Sequence, residues 1–539
     1  MKTININTIK KAAASLFLVS GLLFTGCSDD FLQKNTLTGV SDATFWKTEA
    51  DAHMGLTACY DALQSNYLYN GGPWECGFLY MDCMTDNGGH FNWDGWMSGY
   101  DITNGIHTPS SGLVINFWKA SFEVINRCNT LVTNIADIPM DEELKAQYKA
   151  EAIVLRSLIY FNLTMTYQDV PFATAMRTMD DANMAATDRA TIVEAIIADL
   201  DAAANILPVN APARGRINKG AAWSVLARAA LYNQKWDTAI TYYKKVIDLN
   251  IYSLYSDYDA LFSEQGETSN EIIFGVRFEG PGVSEGSSFA AHWDTPLEAM
   301  NGTVDLANDF YCTDGLPPAR SSVYQEGVDD LENNRPDSLR YRNRDPRLKR
   351  TLFVPGMRWG RSSAEFFGGA APSRSTVYVY KYFNPDQSSS ASWDSGQDFY
   401  VIRYAEVLLS LAEALIEKGG YNYGEVTALV NQVRARVSMP SVEEVEGTAL
   451  DRDALLKLVK HERRVETAFE GLRLFDLYRW KELDKAVNNI EKERARFAGI
   501  GTYFLYEQRN FRGEKEYVWP IPLEEVDTNN LIEQHILWK

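Results

Sequence analysis

From Glu49 onward, apolar positions recur every three or four residues over long stretches, as they do in helices that bury one stripe. Ile153, Val154, Leu158, Phe161 and Met165 make one such stripe. The pattern predicts helices over 49–66, 115–136, 141–167, 190–206, 216–233, 236–249, 402–418, 422–437, 451–470 and 472–488. Several are joined by very short connections. In 216–249 small residues fill the first helix, and Trp236 opens the second after a brief break. A pair that short cannot bury both of its faces alone, so it stacks on neighbours as tetratricopeptide-type units do. The pairs in 141–206 and 402–437 read the same way. The expected fold class is mainly α: a tetratricopeptide-like helical scaffold of about four helix pairs, with large irregular insertions containing a few short strands.

The helical period fails twice, in 67–112 and in 253–400, where strand-like runs occur only at 272–278 and 377–382. Irregular segments on a rigid scaffold are where binding chemistry concentrates. Both are rich in aromatics beside polar residues. Sugars present apolar ring faces edged by hydroxyls, so a glycan site needs flat aromatic platforms with amide, carboxylate or guanidinium groups at the margin. The candidates in the first insertion are Trp74, Asp86, Asn87, Asn92, Trp93 and Trp96. Those in the second are His292, Trp293, Arg358, Trp359, Arg361 and Trp393, with Asp394 nearby. For any one tryptophan, local packing is the competing reading.

Residues 461–480, HERRVETAFEGLRLFDLYRW, carry a charged seam. Glu462, Glu466 and Glu470 recur every fourth residue, with Arg463, Arg473, Asp476 and Arg479 between and beyond them. At this spacing acids and bases share a helix face and pair along it. The seam reads as a structural ion network rather than a catalytic constellation. Gly471 stands between two helical stretches as a break or C-cap glycine would.

The formal net charge of −20 argues against nucleic acid or an anionic lipid surface as main partner. The one basic island, 335–361, reads as pairing with the surrounding acidic surface, with an anionic glycan as the sharper alternative. Residues 1–26 read as a lipoprotein signal peptide, with a lysine-bearing start and an apolar core too short to span a membrane. LLFTGC then places Cys27 for lipidation, and 27–48 is a lipidated tether opening with Ser28, Asp29 and Asp30. The other five cysteines, Cys59, Cys76, Cys83, Cys128 and Cys312, show no zinc-ligand spacing. They read as small buried thiols, with a Cys76–Cys83 pair as the alternative. No cofactor or metal is expected, and no motif supports a structural calcium ion. Gly282-Val283-Ser284-Glu285-Gly286 matches a nucleophile-elbow pattern. Gly280-Pro281 separates it from the preceding strand-like run, so it reads as a loop.

The 461–480 stretch resembles the C-terminal signature of the SusD/RagB family, the nutrient-binding outer-membrane lipoproteins of Bacteroidetes-type bacteria. TFWKTEADAHMGLTACYDAL at 44–63, AEAIVLRSLIYFNLTMTYQDVPF at 150–172, GRINKGAAWSVLARAALY at 215–232, VIRYAEVLLSLAEAL at 401–415 and VWPIP at 518–522 also look like family blocks, in family order. The ending EQHILW at 533–538 departs from the usual pattern. The resemblance implies a single SusD-like domain over 49–539, with scaffold at 49–250 and 401–490. It further implies a cell-surface binder, not an enzyme, that captures an oligosaccharide and serves a SusC-like TonB-dependent transporter. The alternatives are a surface glycoside hydrolase on a helical scaffold, or a peptide or glycopeptide binder. Family ligand residues lie outside the shared motifs, so the candidates above rest on local chemistry alone.

Overall fold

A computed structural model of the 539-residue chain describes residues 45–71, 75, 77–90, 99–176, 178, 183–289, 300–328, 330, 337–358, 377–383, 393–490, 494–496, 503–505 and 509–539. The leader, Cys27 and most of the tether lie outside them. Helices of eight residues or more are numbered α1 (Glu49–Asp61), α2 (Gly112–Asn134), α3 (Glu142–Thr166), α4 (Arg189–Ile206), α5 (Lys219–Tyr232), α6 (Trp236–Asp248), α7 (Tyr404–Lys418), α8 (Tyr423–Arg436), α9 (Arg452–Thr467), α10 (Arg473–Trp480) and α11 (Leu483–Ile490).

The helices start where side chains can satisfy their free N–H groups. Asp141, Asp188, Asn218, Asn422 and Asp451 each accept from a backbone N–H three residues on, and Thr48 forms a capping box with Asp51. Each helix from α2 to α6 packs on the next, α6 packs on α7, and α7 holds both α8 and α9. Small side chains make this stacking possible. Ala221, Ala222, Ala227, Ala229 and Ala230 are all fully buried, so α5 lies close to α4 on one side and α6 on the other. The result is the mainly helical, tetratricopeptide-like scaffold that the period predicts.

Two elements differ from the sequence reading. The expected helix at 402–418 begins two residues later, because Phe399–Arg403 is strand β6, paired antiparallel with β2 (Ile272–Val276). Both strands are almost wholly buried, so apolar residues follow one another without alternation up to Arg403, and β6 runs straight into α7. The expected helix at 472–488 is broken at Lys481, which takes a left-handed conformation with φ 57° and separates α10 from α11.

A second sheet orders its strands β1 (Gly88–His90), β3 (Met300–Gly302), β5 (Tyr378–Val379) and β4 (Leu352–Phe353), all neighbours antiparallel. It joins the two insertions, since β1 belongs to the first and the others to the second. A separate hairpin pairs β7 (Arg494–Arg496) with β8 (Tyr503–Leu505).

Candidate functional site

The seam of residues 461–480 turns inward, and its partners come from other parts of the chain. Glu466 accepts from Arg347 at 2.9 Å, Arg403 at 2.5 Å and Arg436 at 2.6 Å. Glu470 accepts from Arg403 at 2.6 Å and Lys381 at 2.8 Å, and Glu462 lies 2.7 Å from Arg347. Arg463 donates to Asp476 at 2.7 Å, while Arg479 bridges Asp476 and Glu413. Burial alone would raise Glu466, but the charges of Arg436, Arg403 and Arg347 outweigh it and hold it well below the usual carboxylate range. Arg403 and Lys381 likewise outweigh burial at Glu470. Glu466 and Glu470 are therefore held as carboxylates inside the protein, where the network locks α9, α10 and both insertions together.

This network also claims two residues expected at the margin of an aromatic platform. Asp86 is buried and held by Arg473 through two bonds of 2.9 and 2.8 Å, with Arg464 at 3.3 Å. Asn87, fully buried, donates to Asp82 at 3.0 Å and accepts from Arg464 at 2.9 Å. Neither faces solvent: Asp86 is the carboxylate partner of Arg473, and Asn87 fills one more acceptor position at Arg464, which Asp305 and Asp309 also hold. The basic island is similarly drawn inward. Arg344 donates to the carbonyls of Phe310 and Arg340, Arg347 pairs with Asp345 at 2.6 Å, and Arg350 donates to the carbonyl of Phe262. Pairing with the acidic surface is thus the wrong account of these three, which satisfy the interior. Arg358 remains exposed.

Of the candidate tryptophans, Trp393 is described, and it is 36% exposed. It stands beside a loop, 279–288, whose tip from Pro281 to Glu285 is open to solvent. Trp393's neighbours tie that loop down. Ser287 and Ser395 exchange backbone hydrogen bonds of 2.7 and 2.9 Å, and Asp394 accepts from the Gly282 N–H at 2.6 Å. Asn70, from the first insertion, accepts from the Ser288 N–H at 2.7 Å. The two insertions therefore meet at the loop that pairs with the segment following Trp393. Beneath them lies a buried aromatic group: Phe289, Tyr382 and Phe399, with Tyr69 against Phe399.

Two carboxylates brace the rim from behind. Arg214 donates to Glu267 at 2.9 Å and to Asp398 at 3.2 Å, while Asp398 also receives the Phe278 N–H and Glu267 the Asp398 N–H. Burial and then the facing Asp398 push Glu267 up to about 7, and burial pushes Asp398 up to about 6.

His90 pairs with Met300 in the second sheet, and the exposed Arg358 follows β4 after a short turn. Trp74, Asn92, Trp93, Trp96, His292, Trp293, Trp359 and Arg361 lie outside the described residues, as does Cys76. Cys59, Cys83, Cys128 and Cys312 are buried. No strand runs into Ser284 and no helix leaves it, so the nucleophile-elbow geometry is not formed.

A profile described as "SusD family" matches residues 270–538, and one described as "Starch-binding associating with outer membrane" matches residues 37–231. The chain belongs to the SusD/RagB family. Its divergent ending is inside the match. A SusD-like protein of Formosa agariphila is 24% identical, with 94% of each chain covered. The fold is that of a SusD-like carbohydrate binding protein from Bacteroides fragilis, with a TM-score of 0.77, 24% identity, and 91% of this chain and 99% of that one covered. A laminarin-binding SusD-like protein is similar too, with a TM-score of 0.68, 23% identity, and 91% and 99% coverage.

Sequence reasoning missed Asn70, Glu267 and Asp398 around this rim. The richness of the insertions in glycine, asparagine and aromatics was the available signal, and it marks the region rather than the residues.

Proposed function

We propose that the protein is a cell-surface glycan-binding lipoprotein, anchored through Cys27, that captures an oligosaccharide and passes it to a SusC-like TonB-dependent outer-membrane transporter without cleaving it. The observation that carries this reading is the exposed indole of Trp393 on a braced rim where both insertions meet. A large aromatic left open on a rigid support suits stacking on a sugar ring. The carbohydrate- and laminarin-binding relatives support the same ligand class. Glu267 and Asp398, the raised carboxylates nearest the face, are bonded behind it to Arg214 and backbone N–H groups, which favours binding over hydrolysis.

The test is affinity electrophoresis of the mature chain against a panel of neutral and acidic glycans, beside Trp393→Ala. Retardation by one glycan class, lost in the variant, with glycan chain length unchanged after incubation, is the expected result. Shortened chains would turn the reading to a hydrolase. No retardation by any glycan would turn it to peptide ligands.

A further inference from the structure

The glycine-rich loop that mimics a nucleophile elbow has a different use. Gly280, Gly282 and Gly286 all face Asp394, the residue next to Trp393. The Gly282 N–H donates to one carboxylate oxygen of Asp394 at 2.6 Å. At Gly286 an added Cβ would overlap the other carboxylate oxygen and the Asp394 backbone, and at Gly280 it would overlap the Asp394 carbonyl. The loop thus closes over one aspartate from three sides, and only residues without a Cβ allow two of those approaches.

On either side the backbone completes the seat. Glu279 bridges Glu285, and Ser287 bridges Ser395 while its hydroxyl donates to the carbonyls of Ser395 and Gln397 at 3.1 Å. Asp394 is fixed between these bridges, and Trp393 precedes it by one peptide unit. Trp393 is partly open to solvent, and its backbone leads directly into the seated Asp394.

We infer that Asp394 is a positioning residue for the ligand face, seated by Gly280, Gly282 and Gly286 so that Trp393 is held ready for a sugar ring. The inference rests on the glycan-binding reading given above. Holding the indole before the ligand arrives lowers the ordering cost of binding. The carboxylate acts as a hydrogen-bond acceptor here, and a neutral amide of the same shape can replace it.

The experiment compares Asp394→Ala, Asp394→Asn, Gly286→Ala and Trp393→Ala in the full mature chain, using the glycan that retards the wild type. Asp394→Ala and Gly286→Ala should weaken affinity about tenfold or more, with the melting temperature of Asp394→Ala close to wild type and that of Gly286→Ala lowered by the backbone overlap. Asp394→Asn should keep most of the affinity, because its side-chain carbonyl still accepts from Gly282. Hydrogen exchange in the peptides covering 279–289 and 393–397 gives a readout that needs no ligand. It should accelerate in Asp394→Ala and not in Asp394→Asn. Unchanged exchange in Asp394→Ala overturns the seat. Accelerated exchange with full affinity in Asp394→Ala overturns the positioning role. If Trp393→Ala also binds fully, the fault lies in the placing of the ligand face rather than in the seat.

Discussion

Arg403, at the end of β6, donates to Glu466 on α9 at 2.5 Å, and both side chains are fully buried. The pair joins the second insertion's sheet to the helix that carries the family signature. Glu466 also answers Arg347 and Arg436, so three cations share one carboxylate, each with a further acidic partner in Asp345, Glu470 or Glu271.

Replacing Glu466 by Gln should cost about 3 kcal/mol, the low end for removing one partner of a buried pair, because the other carboxylates remain. Urea denaturation of the variant beside Trp393→Ala checks this. Trp393→Ala removes an exposed side chain and should stay within about 0.5 kcal/mol of wild type. Equal stabilities for Glu466→Gln and wild type would remove the seam from its structural role.

Asp86→Ala should lower stability by about 3 kcal/mol, since Arg473 loses the carboxylate that holds it through two bonds while Arg464 keeps Asp305 and Asp309. A local change at a ligand subsite would instead leave the melt unchanged and weaken glycan binding. Calorimetry and affinity electrophoresis on one preparation separate the two outcomes.

Stability should fall as pH rises through the window set by Glu267. Its native value of about 7 lies above the ordinary 4.5, so between these values the native state keeps a proton that the unfolded chain has released. Asp398, raised from 3.8 to about 6, contributes in the same sense. Their contribution is most favourable below the lower values and is lost as pH rises through the upper ones. Glu267→Gln should flatten this part of the stability profile, and thermal melts across the window measure it. Glu466 and Glu470 act oppositely, with stability present above the ordinary carboxylate range and lost in stronger acid.

Gly471→Ala should destabilise by about 1–3 kcal/mol. Gly471 has φ 76°, and a Cβ there would sit 2.7 Å from the Phe78 carbonyl oxygen. A melting temperature equal to wild type would show that the α9–α10 turn relaxes freely.

Helix positions were legible because a buried stripe repeats locally, and most boundaries fall within a few residues of the period's own limits. β6 was not, since Phe399 to Ile402 are buried on both faces and show no alternation. Asp86 and Asn87 misled for another reason. Their neighbours in the chain are glycines and aromatics, but their partners Arg473 and Arg464 lie 387 and 377 residues away. Local composition marks a polar residue as available for a ligand, and only the fold reveals that an arginine has taken it. Trp393 was legible as a candidate, whereas the seat of Asp394 was hidden in a motif that suggested other chemistry.

Near its C-terminus the chain reaches back to its beginning. The Arg509 guanidinium donates to the carbonyls of Thr85 at 2.7 Å, Cys83 at 3.0 Å and Gly88 at 2.8 Å, across 421 to 426 residues. A ribosome delivers the first insertion long before it delivers this arginine. Until residue 509 emerges, those carbonyls lack their native donor, so the segment leading into β1 completes its folding only after almost the whole polypeptide has been made.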